Sequence, residues 1–352
     1  MNFLFRPSLL RRTNFSVQLM LLALIFSSTG CSHLINGRNP LPDFSGHYAI
    51  AIHGGAGVIE RNSPEAAERR LSLTRALIKG ENILREGGSS LDAVQEVVRL
   101  LENDPNFNAG LGAVFTANGE HELDASIMDG KTLACGAVAG IRTVSNPILV
   151  ARHVMDNSRH VMFTATGAEE YARMAGFDEI DPRSLDVDHR RQQWERAQER
   201  EREKKKDDIR ERGTVGAVAL DSDGNLAAAT STGGLTNKRF GRIGDSPVIG
   251  AGTYANNRSC AVSCTGTGEE FIRHTVARDI AALMEYRGMT AEEAAREVVF
   301  GKLAKGDGGV IVVSHEGEIA LVFNTTGMYR GAADSNGRFE VGIWDEAGTT
   351  DE

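Results

Sequence analysis

The chain of 352 residues is 41% hydrophobic and 25% charged, a globular composition that excludes disordered, collagenous and disulfide-scaffold proteins. Thirty-nine Lys and Arg against 48 Asp and Glu leave a net charge of −9, which argues against a nucleic-acid-binding surface. Four cysteines, Cys31, Cys135, Cys260 and Cys264, are too few to staple a protein of this size.

Arg6, Arg11 and Arg12 precede an apolar run from Val17 to Phe26, and Ser27, Ser28, Thr29 and Gly30 follow. A basic start, an apolar core of about ten residues and a small-residue exit predict an export signal over residues 1–30. The run is shorter than the roughly 20 residues that a membrane-spanning helix needs. Cys31 after Gly30 resembles the cleavage box of bacterial lipoproteins, although Ser28 stands where that box has leucine. The expectation is a lipidated Cys31, a tether over residues 31–47, and an exported protein facing the periplasm or cell exterior. It would touch the membrane through the lipid anchor only; an uncleaved anchor or an ordinary signal peptide is the alternative. Cys260 and Cys264 lie four apart in a strand-like SCAVSC, about 13 Å at roughly 3.3 Å per residue, too far for a disulfide. With Cys135 they read as small core residues.

Tyr48–Ile52 predicts a strand that runs into the glycine turn His53–Gly57. Ser63, Pro64 and Glu65 open a helix with Leu71, Thr74, Leu77, Ile78, Glu81 and Leu84 at helical spacing, stopped by Gly87 and Gly88. A second helix starts near Ser90, with Ala93, Val94, Val97, Val98 and Leu101 on one face. Short strand-like segments follow at 113–116, 122–127 and 133–139. Between Arg190 and Arg212 there are 10 basic and 7 acidic residues, interleaved, which predicts a solvated linker. A basic binding arm is the alternative, and its field would be weak. Beyond it, 214–220 and 226–230 form a predicted hairpin, 269–286 a helix, Thr290 and Glu293 a capping box, and 309–314 with 319–324 a second hairpin.

Metal and nucleotide chemistry find no foothold: there is no HExxH, no Cys-x-x-Cys and no phosphate loop, and no cofactor is expected for catalysis. Gly213-Thr214 is more suggestive. A hydroxyl residue that starts a strand behind a charged segment is placed to become a new N-terminus, and glycine before it permits strained backbone at the scissile bond. Cleavage would give Thr214 an α-amine with an ordinary pKa of about 7.7–8, suited to activate its own hydroxyl. Most Gly-Thr pairs at a strand start are structural, so the spacing alone decides nothing.

The motifs around it carry further. Thr214–Ala219, Thr230–Gly234, Gly241–Pro247 and Cys264–Glu269 come in order, preceded by His53–Gly57, Phe107–Gly110 and Leu123–Gly130. Together they closely resemble the isoaspartyl peptidase/plant-type L-asparaginase family of N-terminal-nucleophile hydrolases, over about residues 49–330. The resemblance implies an α+β fold, a four-layer αββα sandwich, autoprocessed between Gly213 and Thr214. The α-chain part (48–189) and the linker (190–213) would then be separated from the β-chain part (214–352) of one domain, with αβ units pairing as a homodimer. By the same resemblance Thr214 is the nucleophile, Thr232 orients it, and Thr265 with Gly266 forms the oxyanion hole. Arg242 takes the substrate α-carboxylate, Asp245 the α-ammonium with a backbone contact from Gly268, and Asn108 orders the site. Ile243, Gly244 and Thr267 complete the substrate contacts. The resemblance also implies a structural sodium ion held by backbone carbonyls of Leu101, Glu102, Asp104, Phe107, Ala109 and Leu111. The implied activity is hydrolysis of β-aspartyl dipeptides and L-asparagine. The alternatives are a glycosylasparaginase, which would have Asp where Gly213 stands, and an inactive surface-binding lipoprotein on the same fold.

Overall fold

The computed structural model describes residues 46–61, 64–203 and 211–345; the predicted leader, Cys31 and most of the tether lie outside the described residues. In chain order the elements are β1 (Ala49–Gly57), α1 (Pro64–Arg85), α2 (Ser90–Glu102), β2 (Leu123–Asp129), β3 (Cys135–Ile141), α3 (Pro147–Asn157), β4 (Met162–Thr164), α4 (Ala165–Met174) and α5 (Asp188–Arg202). There follow β5 (Glu211–Arg212), β6 (Val215–Leu220), β7 (Leu226–Thr232), β8 (Thr253–Ala255), β9 (Cys260–Gly266), α6 (Gly268–His274), α7 (Val276–Arg287) and α8 (Ala291–Gly301). The chain closes with β10 (Gly308–Ser314), β11 (Ile319–Phe323), β12 (Gly327–Asp334) and β13 (Phe339–Gly342).

The strands form one large sheet, in the order β13-β12-β1-β6-β7-β2-β3-β4 with β5 beside β1, and a smaller sheet in the order β11-β10-β9-β8. Period-two alternation sends the residues of each strand to two different apolar spaces. Ile50, Ile52, Val215, Ala217 and Ala219 face α1 and α2, where Leu73, Leu77, Val94, Val97 and Val98 complete the packing. Ala49, Ala51, Val218, Leu220 and Ala228 face the other way and meet Ala261, Ile311 and Val313 of the smaller sheet. The far face of that sheet, Cys260, Val262, Cys264, Val310 and Val312, packs on Phe271, Val276, Ile280, Ala294 and Val298. Three apolar spaces between helix, sheet, sheet and helix make a four-layer αββα sandwich, as the resemblance implies.

The three described cysteines are free, with Cys260 and Cys264 fully buried and Cys135 partly so. Burial pushes the Cys260 thiol up to about 12, which leaves it an inert core residue. The capping box at Thr290 and Glu293 is formed in both directions. Helix α2 buries Ala93, Val94, Val97, Val98 and Leu101, the face its spacing predicts.

Elsewhere the chain departs from the sequence reading. In α1 the buried face is Ala66, Leu73, Ala76, Leu77, Gly80 and Leu84, while Leu71 and Ile78 are exposed. Small residues let α1 approach the sheet: a Cβ at Gly80 would lie 2.5 Å from Ile50. Residues 113–116 form no strand, and only Thr116 makes an isolated bridge, to Lys238. The charged segment does not begin as a solvated tether. Its first half is α5, docked by a buried Arg190 whose Nε–H donates to the Gly112 carbonyl at 2.8 Å and by Trp194 against Phe115. Gln198 and Glu201 add bonds at its last turn, and most of its other charged side chains are exposed.

The helix expected over 269–286 is two helices, broken at Thr275 with φ 45°. A β-branched residue in the left-handed region costs roughly 1–2 kcal/mol, and Thr275 is exposed. Thr275→Asn, which tolerates that conformation, is expected to raise the unfolding free energy by about 1 kcal/mol in urea denaturation.

Candidate active site

Strand register builds the site. His53 lies opposite Gly216, Gly216 opposite Thr230, and Thr230 opposite Ser126, so these four stand in one row across β1, β6, β7 and β2. On the smaller sheet Ser263 lies opposite Thr253. The two rows face each other and are joined by hydrogen bonds. His53 Nδ1 lies 3.0 Å from the Thr214 carbonyl and Nε2 lies 2.8 Å from Ser263 Oγ. A carbonyl can only accept, so Nδ1 carries the proton and Ser263 donates to Nε2. Burial pushes the imidazole down to about 3, so it is neutral at physiological pH. Ser263 Oγ lies 2.7 Å from Thr230 Oγ1, which accepts from Thr253 at 2.6 Å, and Ser126 reaches both Thr253 and the Ser246 carbonyl. Gly216 is glycine for a steric reason: a Cβ there would lie 2.1 Å from Ser263 Oγ and 2.4 Å from His53 Nε2.

Two residues along each strand, period two places Thr214 and Thr232 on the same inward side as Gly216 and Thr230, with Thr265 two residues beyond Ser263 on β9. The Thr214 hydroxyl donates to Thr232 Oγ1 at 3.2 Å, and the Gly234 N–H donates to the same oxygen at 3.0 Å. Thr265 Oγ1 is fully buried and has no hydrogen-bond partner. Just before Thr214, the Asn108 N–H donates to the Gly213 carbonyl at 3.1 Å. The Asn108 side chain donates to the Gly234 carbonyl at 2.7 Å and accepts from the Val114 N–H at 2.9 Å, which ties that loop to the end of β7. Gly213 is not in the left-handed region. What demands glycine there is close approach, since a Cβ would lie 2.8 Å from the Asn108 Cβ.

Arg242, Asp245 and Gly268 form a second cluster. A Cβ on Gly268 would lie 2.7 Å from Arg242 Nη2 and 3.0 Å from Asp245 Oδ1, so its absence leaves both groups reachable. Arg242 donates through Nε and Nη2 to Glu269, each at 2.9 Å, which leaves the end-on edge of the guanidinium for another carboxylate. Asp245 is fully enclosed with Oδ2 unpartnered, and burial pushes its carboxyl up to about 7 despite Arg242. Ile243 is half exposed, Gly244 lies under the Arg242 guanidinium, and Thr267 donates to Asp307 at 2.9 Å.

Residues 46–343 match the family described as asparaginase. The isoaspartyl peptidase of Escherichia coli (strain K12) is 50% identical over 87% of this chain and 98% of its own length. The isoaspartyl peptidase/L-asparaginase of Homo sapiens is 44% identical over 84% of this chain and 95% of its own. A probable isoaspartyl peptidase/L-asparaginase 2 from Arabidopsis thaliana is 44% identical over 85% and 100%.

The chain belongs to the asparaginase family. As a member it is an amide hydrolase, and the fold and family expected from its motifs hold.

The expectation of an exported lipoprotein anchored through Cys31, facing the periplasm or cell exterior, is corrected here. The bacterial, plant and human relatives are named as peptidases and asparaginases and are matched over 95–100% of their lengths, with no lipoprotein among them. No described helix is long and apolar enough to cross a membrane. Basic residues before a short apolar run are a pattern of low specificity, and with Ser28 in place of leucine the box was incomplete.

For sodium, the loop after α2 crowds backbone oxygens around two glycines. The Phe107 and Pro105 carbonyls lie 2.1 and 2.5 Å from where a Cβ at Gly112 would be, and the Glu102 carbonyl 2.3 Å from that of Gly110. Backbone carbonyls are the donor type that a hard cation takes, and two of the six expected ones, Glu102 and Phe107, are among these oxygens. The described residues hold no group of three or more His, Cys, Asp or Glu suited to a metal.

Sequence reading of this asparaginase-family chain missed His53, Ser263 and Thr230, and gave Glu269 no role. His53 and Glu269 both stand inside quoted motifs. Their partners lie 210 and 27 residues away, so spacing carried no signal. It named Glu102 only for its backbone carbonyl and missed its buried carboxyl, which accepts from Ser231 at 2.7 Å and the Ile148 N–H at 3.1 Å.

The high carboxyl of Asp245 has a consequence for stability. Its folded value of about 7 exceeds its ordinary 3.8, so the folded state holds a proton that the unfolded chain releases. The part of the stability that Asp245 contributes is therefore expected to fall as pH rises from about 4 to about 7. Asp245→Asn is expected to flatten that slope in urea titrations run across the window.

Proposed function

We propose that this chain is an isoaspartyl peptidase/L-asparaginase that cuts itself between Gly213 and Thr214 and then hydrolyses β-aspartyl amides through an acyl-enzyme on Thr214. The observation that carries this reading is the junction: the Thr214 hydroxyl rests on Thr232 while the Asn108 N–H holds the Gly213 carbonyl.

In self-cleavage Thr214 Oγ1 attacks the Gly213 carbonyl carbon, and negative charge develops on the oxygen that the Asn108 N–H already faces. The C–N bond breaks, the hydroxyl proton passes to the departing Thr214 nitrogen, and an ester joins the two parts. Water hydrolyses that ester, which leaves a carboxylate on Gly213 and a free amine on Thr214. His53 holds the Thr214 carbonyl throughout and, being neutral, adds no charge to the site.

In turnover the Thr214 amine takes the hydroxyl proton, and Oγ1 attacks the substrate's side-chain amide carbon. The Thr265 hydroxyl and the Gly266 N–H are the donors offered to the oxyanion, and the buried, unpartnered state of Thr265 Oγ1 supports that role. The amine returns the proton to the leaving ammonia or amino acid, and water then releases aspartate. Arg242 presents its end-on edge to the α-carboxylate, with Glu269 fixing the other edge. Asp245, with the backbone of Gly268 beside it, takes the α-ammonium; pairing draws its carboxyl down into the charged form. Ile243, Gly244 and Thr267 line the same loops. A glycosylasparaginase reading is disfavoured by Gly213, where close approach of Asn108 leaves no space for an aspartate side chain.

A sodium ion would be held by the carbonyls of Leu101, Glu102, Asp104, Phe107, Ala109 and Leu111, and would supply only electrostatic neutralisation of that loop. Exchange of sodium for choline at equal ionic strength is expected to lower the melting temperature by a few degrees. An unchanged melting temperature would remove sodium from the account.

Wild-type protein is expected to run as two fragments on denaturing gels, with Thr at the start of the smaller one on N-terminal sequencing. Thr214→Ala is expected to stay uncut and to lose aspartate release from L-asparagine by at least about 10³-fold. A cut and active variant would overturn the assignment.

A further inference from the structure

The turn that ends at Arg242 is an unfavourable one for its sequence. The Arg242 N–H donates to the Arg239 carbonyl at 3.1 Å, closing a four-residue turn, and both central residues have positive φ, 58° at Phe240 and 69° at Gly241. Two left-handed central residues mark the primed turn that Asn-Gly or Gly-Gly pairs adopt readily. Phe240 is the wrong residue for it: a bulky side chain in the left-handed region is strained. Its ring recovers nothing by packing, since it is 101% exposed. Asn237, two residues before the turn, is also left-handed, with φ 64°. Strain of this kind persists only where the surroundings over-determine the geometry.

The body holds the backbone ahead of the turn, where the Asn237 N–H donates to the Phe115 carbonyl at 2.8 Å, and the side chains there are held by α5. Gln198 donates to the Asn237 side-chain carbonyl at 2.8 Å and to the Ala117 carbonyl at 3.0 Å. Asn237 in turn donates to Glu201 at 2.9 Å, and Arg239 donates to the same Glu201 oxygen at 2.6 Å. These two bonds hold the Glu201 carboxyl below the usual carboxylate range. Helix α5 is itself fastened to the body by the buried Arg190 and by Trp194. The last turn of α5 therefore grips the strained turn at its first residue, Arg239, and just ahead of it at Asn237.

We propose that α5 is an external brace for the substrate-binding turn, with Gln198 and Glu201 as positioning residues that hold Arg242 where it reads the substrate α-carboxylate. This rests on the reading of Arg242 given above. It also extends it: after cleavage at Gly213 the brace belongs to one chain and the turn to the other. Trimming of the first chain back past residue 198 would then loosen the pocket without touching any group that contacts substrate.

The test uses the full chain and L-asparagine, with KM, kcat, the urea midpoint and fragment formation measured for each protein. Glu201→Arg and Arg239→Glu are each expected to raise KM about fivefold with kcat within about twofold of wild type. The double exchange restores the ion pair with reversed sign, so KM is expected to return to within about twofold even though the Asn237 bond to position 201 stays lost. Phe240→Asn gives the turn a residue that accepts its backbone; alone it is expected to keep the wild-type KM. Combined with Glu201→Gln, it is expected to abolish the KM increase that Glu201→Gln causes alone. A merely structural ion pair would move the urea midpoint and leave KM in place, and Phe240→Asn would rescue nothing. Should a charge-reversal variant fail to fold, the Glu201→Gln pair of measurements decides the matter. Unchanged KM in the single variants, or a double exchange as impaired as its parents, overturns the brace while leaving the site intact. A wild type that releases no aspartate overturns the reading of the site instead.

Discussion

Two facing rows of polar side chains cross the buried space between the sheets, and the start of β6 hangs on them. His53 donates to the Thr214 carbonyl and accepts from Ser263, and the chain of hydroxyls runs on through Thr230 and Thr253 to Ser126. Polar groups this deep cost stability unless they find partners, and the register of four strands supplies partners to this network. The space they need comes from Gly216, which lacks the one atom that would block the His53–Ser263 bond. The apolar sandwich sets the distance between the sheets, and this network fixes where along β6 the junction residue stands.

The same economy of small residues shapes the rest of the site. Gly213 lets Asn108 come within hydrogen-bond reach of the junction carbonyl, and Gly268 clears the approach to Arg242 and Asp245. The charged pair is prepared differently at its two ends. Glu269 holds the guanidinium by one edge in a partly open position, whereas Asp245 is enclosed and kept near neutrality by burial. In the function proposed above, a zwitterionic amino-acid end would meet both requirements at once, its ammonium compensating the buried carboxyl and its carboxylate taking the remaining edge of the arginine.

Legibility in the sequence followed the range of each interaction. Helix α2, the Thr290 capping box and the hairpins were readable because their signals lie within a turn or two of chain. The inward face of α1 was not, since Gly80 and Ala76 are buried for their smallness against the sheet while Leu71 faces water. The break at Thr275 was hidden because a continuous apolar pattern runs across it. In the site, Thr214, Arg242 and Asp245 were named from motifs. Their orienting partners His53, Ser263 and Glu269 come from strands and loops joined only by folding.

The sequence by itself determined the family, because motif order is a local property of the chain, and the layered α+β architecture and the site residues followed from that resemblance rather than from alternation or turn chemistry. Only the tertiary structure decided how those residues are held: the tautomer of His53, the high carboxyl of Asp245, and the docking of α5 beside the Arg242 turn. Each depends on desolvation or on contact between segments far apart in the chain. Burial and cross-strand register exist only once the sheets have come together.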